Sequence, residues 1–335
     1  MMTRILSAAD VERCLDLSQL RQVMRQCLAS LSAGRSSNGP RAVFPAGEGR
    51  VLGFMPASLE GGRAGYKALS VWEGNGARGL NPHQGLVVLL EPETGRPRCL
   101  LEASAVTALR TAAVSAAASE AVGPPHPSSL GLIGAGRQAW EHARALAAMW
   151  PLKRAVVWGR DAARAQALCA RLEAKLGLSA SVAESPEAAA QAEVVTCCTS
   201  SRTPLLSSDA LLAGAHLNLV GACRPGIREL DLRPRQGLRA YVDSAAACAA
   251  ESEEIRALQA ADAPAVRGEI GQVFSGELNA ARGPGDLTVF KSVGLGVEDV
   301  AAAAHLLERA EAGWVGTLVD LEQPGPKGEG LLGRS

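Results

Sequence analysis

The stretch LGLIGAGRQ, residues 130–138, runs from apolar residues into Gly134, Ala135 and Gly136 and then into helix-forming residues. With Ala139 in the third glycine position, the stretch has the form G-x-G-x-x-A. Glycine permits a tight turn between strand and helix, and it lets backbone N–H groups approach a diphosphate at the helix N-terminus. The motif predicts a dinucleotide site formed by Gly134, Ala135, Gly136, Arg137 and Gln138.

The residues after this motif repeat a pattern of strand, turn and helix. Apolar runs without strict alternation, such as RAVVWG (154–159) and HLNLVGA (216–222), predict strands that are buried on both faces. SSDALLAG (207–214) is expected to form one of the intervening helices. This alternation predicts an α/β fold with a doubly wound parallel sheet of the Rossmann type.

The N-terminal part of the chain has a different pattern. A helix over residues 20–31, several strands and a hairpin over residues 85–103 predict a sheet-rich α+β domain. A helix of small residues, 104–122, then ends at a glycine-proline cluster. We expect the α+β domain to comprise residues 1–120 and 312–335, with a loose tail at 323–335, and the Rossmann domain to comprise residues 121–311. A predicted long helix, 297–313, carries the chain back towards the first domain.

The overall composition excludes several classes of partner. Lys plus Arg and Asp plus Glu both total 34, so no net field attracts nucleic acid or an anionic membrane. No apolar stretch is long enough for a membrane span or an export signal. The eight cysteines show no metal-site spacing, which indicates reduced thiols. We expect a cytoplasmic protein that binds no metal, no nucleic acid and no membrane.

The end of the second strand of the Rossmann part decides between two cofactors. In NAD-specific sites an Asp or Glu at this point binds the ribose 2′-hydroxyl, whereas this chain has Gly159 and Arg160, with Arg164 one turn later. An arginine suits a 2′-phosphate, so NADPH (NADP) is preferred and NADH (NAD) is the alternative. Asp161 either binds the ribose or caps the following helix.

Three cations in the first domain have apolar or small neighbours. They are Arg41 in GPRAVFP, Lys67 in GYKALS and Arg110 in TALRTAA. Burial of an unpaired cation is costly, so these positions indicate capture of a carboxylate, for which the arginine fork is well shaped. The alternative is that the three are surface groups with buried stems. His83, expected on a loop before a strand, is a candidate proton donor or an ordinary surface histidine.

Several stretches together resemble the ornithine cyclodeaminase/mu-crystallin family. They include PHQGLVVLLEPETG (82–95), TALRTAAVSAAAS (107–119), LGLIGAGRQA (130–139) and TVFKSVGLGVEDVAAA (288–303). The resemblance implies a nicotinamide cofactor, a homodimer formed through the first domain and a substrate carboxylate bound by Arg41, Lys67 and Arg110. We also assign Met55 and Cys223 to the substrate. The remaining residues assigned to the cofactor are Thr111, Cys198, Thr199, Val220, Ser292 and Val293.

Two departures from the family pattern bear on the reaction. Cyclodeaminase members of the family carry the motif VGxD, and this chain has Cys223 in place of the Asp. They also carry a Glu at the position where this chain has Gly53. The resemblance is better to the ketimine reductase branch, which implies reduction of a small cyclic imine such as pyrroline-2-carboxylate or piperideine-2-carboxylate. Lys67, His83 or water would then supply the proton. The alternatives are ornithine cyclodeaminase, an alanine-type amino-acid dehydrogenase, and a non-catalytic protein that binds a small ligand.

Overall fold

Two large sheets organise the chain, of which the computed structural model describes residues 2–261 and 265–321. The predicted tail at 323–335, and with it most of the predicted segment 312–335, lies outside the described residues. The first sheet is formed by β1 (Thr3–Leu6), β2 (Ser37–Asn38), β3 (Ala42–Pro45), β4 (Arg50–Ser58), β5 (Ala64–Trp72), β6 (His83–Leu90), β7 (Pro97–Glu102) and β18 (Thr317–Val319).

The first sheet has strands β4 to β7 in antiparallel order, while β1 runs parallel to β7 and pairs with β18 on its other side. Side chains alternate between its two faces. Met55, Lys67 and Val87 are in register on neighbouring strands and lie on the buried face. Leu52 and Phe54 are exposed on the opposite face. The sheet therefore directs a lysine into the interior of the protein.

The second sheet is parallel, in the order β10-β9-β8-β11-β13-β17-β15-β16. Its strands are β8 (Ser129–Ile133), β9 (Arg154–Trp158), β10 (Ser179–Val182), β11 (Val194–Cys197), β13 (His216–Leu219), β15 (Leu238–Val242), β16 (Val266–Glu269) and β17 (Leu287–Lys291). Two short strands, β12 (Leu206–Ser207) and β14 (Leu230–Asp231), pair only with each other among the described residues. The predicted doubly wound parallel sheet is confirmed.

Helices cover both sheets. They are α1 (Ala8–Arg13), α2 (Leu17–Ser32), α3 (Ala103–Val122), α4 (Arg137–Ala147), α5 (Ala162–Leu176), α6 (Pro186–Ala189), α7 (Ala245–Glu251), α8 (Glu253–Ala260), α9 (Ile270–Ser275) and α10 (Gly296–Ala312). The predicted helix within 207–214 is wrong, since only a short 3-10 turn forms at Ser208–Ala210. Ser207, the first residue of the segment, is instead paired in β12, its hydroxyl caps the 3-10 turn, and Gly214 ends the segment in the left-handed region.

Helices α3 and α10 join the two sheets. Helix α3 contacts β6 of the first sheet and β13 and β17 of the second, and its many alanine and serine side chains permit this close packing. Helix α10 packs on β4, β5 and β6, although the predicted boundary at residue 311 assigns it to the Rossmann domain. Because a helix shares the core of the sheet that it covers, we propose that residues 296–312 belong with the first domain.

None of the helices in the described part of the chain combines the length and apolar character needed to cross a membrane.

Candidate active site

The carboxyl ends of five neighbouring parallel strands meet at one edge of the second sheet. In spatial order these strands are β9, β8, β11, β13 and β17. The residues predicted to bind a cofactor follow directly after them, as Gly159 and Arg160, Gly134 to Gly136, Cys198 and Thr199, Val220, and Ser292 and Val293. Ligands of open parallel sheets bind at this edge. The structure therefore brings these sequence-predicted residues together.

The turn between β8 and α4 requires glycine. Gly134 has φ +120°, and a Cβ at this position would lie 2.8 Å from the carbonyl oxygen of Cys198. A Cβ on Gly159, after the next strand, would lie 2.9 Å from the Cβ of Ala135. Because these two glycines have no Cβ, the carboxyl ends of β8, β9 and β11 can lie close together.

The N-terminus of α4 is open. Its N-cap, Gly136, offers no side chain, and a Cβ on Gly136 would meet no heavy atom within 4 Å. The first N–H groups of a helix lack intrahelical partners, so here they are available to an anion. Gln138 also has a buried side-chain oxygen without a hydrogen-bond partner in the described chain. The N–H donors and this space fit the diphosphate of a dinucleotide, whereas the Gln138 oxygen is an acceptor and adds nothing to anion binding.

At the end of β9, Asp161 caps α5. Its carboxylate accepts a hydrogen bond from the backbone N–H of Arg164 at 3.2 Å and lies 3.4 Å from Nε of the same arginine. Arg160 is exposed and, within the described ranges, makes no side-chain hydrogen bond or ion pair. Asp161 therefore caps the helix, which was the predicted alternative to ribose binding. Arg160 is accessible to a phosphate.

Two of the three predicted cations are buried and share one carboxylate. Lys67 Nζ lies 2.6 Å from Oδ2 of Asp299, and Arg110 Nε donates to Oδ1 of the same residue at 2.9 Å. Arg110 Nη1 also donates to Glu298 at 2.8 Å. Lys67 is 3% and Arg110 4% exposed, which excludes the alternative that they are surface groups.

The third cation, Arg41, connects the first domain to the end of the second sheet. Its Nη2 donates to the carbonyl oxygens of Val293 and Gly294, both at 2.8 Å, and lies 3.3 Å from Glu251. Its Nη1 donates to the carbonyl oxygen of Cys223 at 3.4 Å. Its Nε is buried and has no hydrogen-bond partner among the described residues.

The surroundings shift the pKa values of this cluster in different directions. Burial lowers the pKa of Lys67 to about 8, with Arg110 and Arg41 adding to the effect and Asp299 opposing it. Burial opposes the charge of Arg110, but Asp299 and Glu298 outweigh burial and raise its pKa. Burial also opposes ionisation of Asp299, yet Arg110 and Lys67 hold its pKa below the usual range. An ammonium with a pKa near neutrality is suited to proton transfer.

Glu298 titrates differently from its neighbour Asp299. Burial raises its pKa to about 7, assisted by the negative charges of Asp243 and Asp299 and opposed by Arg110. Its Oε1 is buried and has no hydrogen-bond partner among the described residues. The cluster thus contains a carboxyl group that changes its charge near neutral pH.

The other predicted substrate residues lie around these cations. Met55 is buried on β4 directly opposite Lys67, and Cys223 follows β13 beside Arg41. His83 is the first residue of β6, paired with Val71, so its placement on a loop was wrong. His83 is exposed, but partial desolvation by the surrounding protein lowers the pKa of its imidazole. The positive charges of Lys67 and Arg224 lower this pKa further.

Two further predicted residues occupy supporting positions. Thr111 on α3 donates its hydroxyl to the carbonyl oxygen of Thr107 at 2.7 Å, and the Thr107 hydroxyl lies 3.4 Å from Lys67 Nζ. Burial raises the pKa of the Cys198 thiol, which disfavours the thiolate that nucleophilic catalysis needs.

Buried acidic residues that order the site were not predicted from the sequence. Asp243 accepts hydrogen bonds from the Ser292 hydroxyl at 3.0 Å and from the N–H groups of Val293 at 2.7 Å and Gly294 at 2.9 Å. Glu229 accepts from the N–H groups of Thr199, Gly221 and Ala222. Each carboxylate therefore fixes a loop at the crevice. The available signal was an acidic residue amid apolar sequence, as in YVDS and GVEDVAAAA.

The chain is similar to known proteins over almost its whole length. The ornithine cyclodeaminase/mu-crystallin family model matches residues 1–313. The ketimine reductase mu-crystallin of Mus musculus is 33% identical over 314 residues, which cover 92% of this chain and 97% of the mouse protein.

Two solved structures are also similar over almost the whole chain. One is the Delta(1)-pyrroline-2-carboxylate reductase of Thermococcus litoralis in complex with NADH and L-proline, with TM-score 0.90, 26% identity and coverage of 95% of this chain and 100% of that one. The other is an archaeal alanine dehydrogenase dimer with bound NAD, with TM-score 0.89, 28% identity and coverage of 96% and 100%.

Proposed function

The chain belongs to the ornithine cyclodeaminase/mu-crystallin family, and from this premise we propose that it reduces a small cyclic ketimine carboxylate with NAD(P)H. Pyrroline-2-carboxylate and piperideine-2-carboxylate are the proposed substrates, and the cyclic amino acid is the product. The observation that carries this proposal is the cluster of the buried Lys67 and Arg110 with the half-buried Arg41, which bonds to the loops at the carboxyl edge of the parallel sheet. Relatives named as reductases of such imines support it.

The nicotinamide cofactor would lie along that edge. The N–H groups at the start of α4 would hold its diphosphate, because Gly134 and Gly136 leave the space for close approach. When bound, the cofactor supplies a hydride to the carbon of the C=N bond. The residues assigned to its remaining contacts are Thr111, Ala135, Arg137, Gln138, Gly159, Asp161, Arg164, Cys198, Thr199, Val220, Ser292 and Val293.

Two of the cations retain a donor for the substrate carboxylate. No bond within the described residues uses Nη2 of Arg110, and Lys67 has one N–H beyond those directed at Asp299 and Thr107. The unpaired Nε of Arg41 is buried, so Arg41 would act on the carboxylate through its positive charge. Charge-assisted hydrogen bonds from such donors orient a carboxylate. Holding the imine in a near-attack position contributes several kcal/mol, on the order of 7 or more in favourable cases. Met55 and Cys223 would contact the ring.

Lys67 is the proposed proton donor to the imine nitrogen. Its pKa of about 8 leaves it protonated at neutral pH but able to release the proton. His83 is exposed and its pKa is lowered, so its neutral imidazole serves better as a relay of protons to solvent. Neither role requires a carboxylate at position 53, where a Cβ on Gly53 would lie 3.1 Å from the Leu69 side chain.

NADPH is the proposed preferred cofactor, with NADH as the alternative. Arg160 is exposed at the end of β9, and the Asp161 carboxylate is already bonded to the N-terminus of α5. An arginine at this point suits a 2′-phosphate, while a carboxylate engaged as a helix cap is less available to a ribose hydroxyl.

A homodimer is the proposed assembly. Phe44, Leu52, Phe54 and Leu86 expose large apolar side chains on one face of the first sheet. Contiguous apolar surface of this kind marks protein interfaces. Sedimentation of the purified protein as a single copy at micromolar concentration would contradict this assembly.

A cytoplasmic location is also proposed. All eight cysteines are free thiols, and six of them are buried. Reduced thiols are typical of the cytosol. Fractionation of the native host with a disulfide-trapping reagent tests the location, and recovery of oxidised protein from an exported fraction would contradict it.

Steady-state assay of cofactor oxidation tests the proposed function. With the five- and six-membered cyclic imino acids, we expect one NADPH consumed for each cyclic amino acid formed and a higher kcat/KM with NADPH than with NADH. Arg160→Gln should remove most of that preference, about tenfold, because a charge-assisted phosphate contact contributes on the order of 1.5–3 kcal/mol. Turnover of ornithine without net cofactor consumption would indicate the cyclodeaminase reaction instead.

A further inference from the structure

Asp299 lies in the first turn of α10 and is completely buried. One carboxylate oxygen accepts from Arg110 Nε at 2.9 Å, and the other lies 2.6 Å from Lys67 Nζ. The two cations come from different elements, α3 and β5. A single carboxylate therefore sets the distance between the two cations that are proposed to bind the substrate.

Titratable groups from four elements interact with this carboxylate or lie close to it. Lys67 comes from β5, Arg110 from α3, Glu298 from α10 itself, and the Cys27 thiol from α2 is close enough for its pKa to be raised by burial and by the charges of Glu298 and Asp299. Two positive groups thus contact Asp299 directly, and Glu298 and the neutral Cys27 thiol lie nearby. Because Arg110 and Arg41 disfavour a third cation, Lys67 depends on Asp299 to remain charged in this buried position.

We propose that Asp299 is a positioning residue for imine reduction, which fixes the spacing of Lys67 and Arg110 and keeps Lys67 in its ammonium form as the proton donor. The inference rests on the proposed function. In the reaction, hydride from NAD(P)H adds to the imine carbon and the Lys67 N–H proton passes to the imine nitrogen. The C=N double bond becomes a single bond, and water reprotonates the neutral Lys67 amine.

Asp299→Asn tests the proposal by removing the charge while keeping the size. We expect kcat/KM for the cyclic imine to fall about 100-fold, as for other misplaced reacting groups. The alkaline limb of its pH profile should move to lower pH by roughly one unit or more, because the lost negative charge had favoured the ammonium. NMR titration of ¹⁵N-labelled lysine side chains should show the same displacement for Lys67 in the cofactor-free protein, with Lys67→Arg used to assign its signal.

Glu308→Gln is the matched control, because Glu308 is on the same helix but exposed and paired with Arg63 at 2.7 Å. It removes the same charge and should leave the kinetics and the Lys67 titration unchanged. Asp299→Glu keeps the charge but moves it by one methylene, so it should retain the Lys67 titration while kcat/KM falls about tenfold or more.

The outcomes separate this inference from the proposed function. An unchanged pH profile and an unchanged Lys67 titration in Asp299→Asn overturn the role of Asp299, even if the wild-type protein reduces imines. If Asp299→Asn does not fold, Asp299→Glu decides, and wild-type kcat/KM in that variant overturns the role. If the wild-type protein reduces no imine, the proposed function fails, while the Lys67 titration still tests how Asp299 sets the charge.

Discussion

Glu298 and Asp299 are adjacent buried acids whose pKa values are shifted in opposite directions. Asp299 contacts both Lys67 and Arg110, which outweigh burial and lower its pKa. Among the cations of the described chain Glu298 pairs with Arg110 alone, so burial and the nearby carboxylates prevail and raise its pKa to about 7. The difference follows from the number of cations in contact with each carboxylate, since opposite charges lower and desolvation raises the pKa of an acid.

Glu298→Gln should change how stability depends on pH. A carboxyl group whose pKa is raised on folding binds its proton more tightly in the folded protein, so it contributes stability below its unfolded pKa of 4.5 and loses that contribution as pH rises through about 7. Between these values the wild-type free energy of unfolding should fall, relative to the variant, by about 1.4 kcal/mol per pH unit. Urea denaturation at several pH values measures this difference.

A parallel pH dependence in wild type and Glu298→Gln over that range would contradict the assigned titration. The variant keeps an oxygen that can accept from Arg110 Nη1, so loss of that hydrogen bond does not obscure the comparison.

At the level of single residues, the sequence predicted the cations better than their partners. Lys67 and Arg110 were recognisable because their immediate neighbours are apolar or small. Asp299 was not recognised as their partner, because α10 and β5 are distant in sequence and only the folded chain brings them together. Pairing between distant elements depends on tertiary packing, which local sequence patterns do not encode.

At the level of elements, local patterns predicted the helices and strands well where periodicity was strong. The small-residue helix was expected over 104–122 and is observed at Ala103–Val122. The hairpin of β6 and β7 is also confirmed, with Gly95 closing the turn in the left-handed region. The parallel pairing of β1 with β7 and the return of β18 to β1 were not predicted, because they join segments that are far apart in the sequence.

Helix α4 provides the test of cofactor binding at the element level. Gly136 has φ −98°, which alanine adopts without strain, and its Cβ position is open. Gly136→Ala should therefore change the free energy of unfolding by less than about 1 kcal/mol. The new methyl group would occupy the space proposed for the diphosphate, so the Kd for NADPH should rise roughly tenfold or more, a loss of about 1.4 kcal/mol.

Titration of NADPH fluorescence measures this change. Gly76→Ala is the matched control, because Gly76 also has open space around its Cβ position and lies in a 3-10 turn of the first domain. Equal Kd values for wild type and Gly136→Ala would place the cofactor away from the start of α4.

At the level of the whole molecule, the two sheets meet where the chemistry is proposed to occur. The first sheet and α3 supply Lys67 and Arg110, and the second sheet supplies the loop that holds Arg41 through Val293 and Gly294. The sequence predicted both sheets and the cations, whereas the contacts between the sheets depend on packing of α3 and α10. The central claim is that this junction holds the imine carbon beside the nicotinamide.

Deuterium transfer tests that claim most directly. The protein is incubated with pyrroline-2-carboxylate or piperideine-2-carboxylate and NADPH that carries deuterium at C4, with each C4 stereoisomer in turn. With one stereoisomer, we predict a cyclic amino acid with one deuterium on the carbon next to the carboxylate, detected by mass spectrometry and NMR. A product without deuterium at that carbon from both stereoisomers, or no product from either imine, would contradict the account.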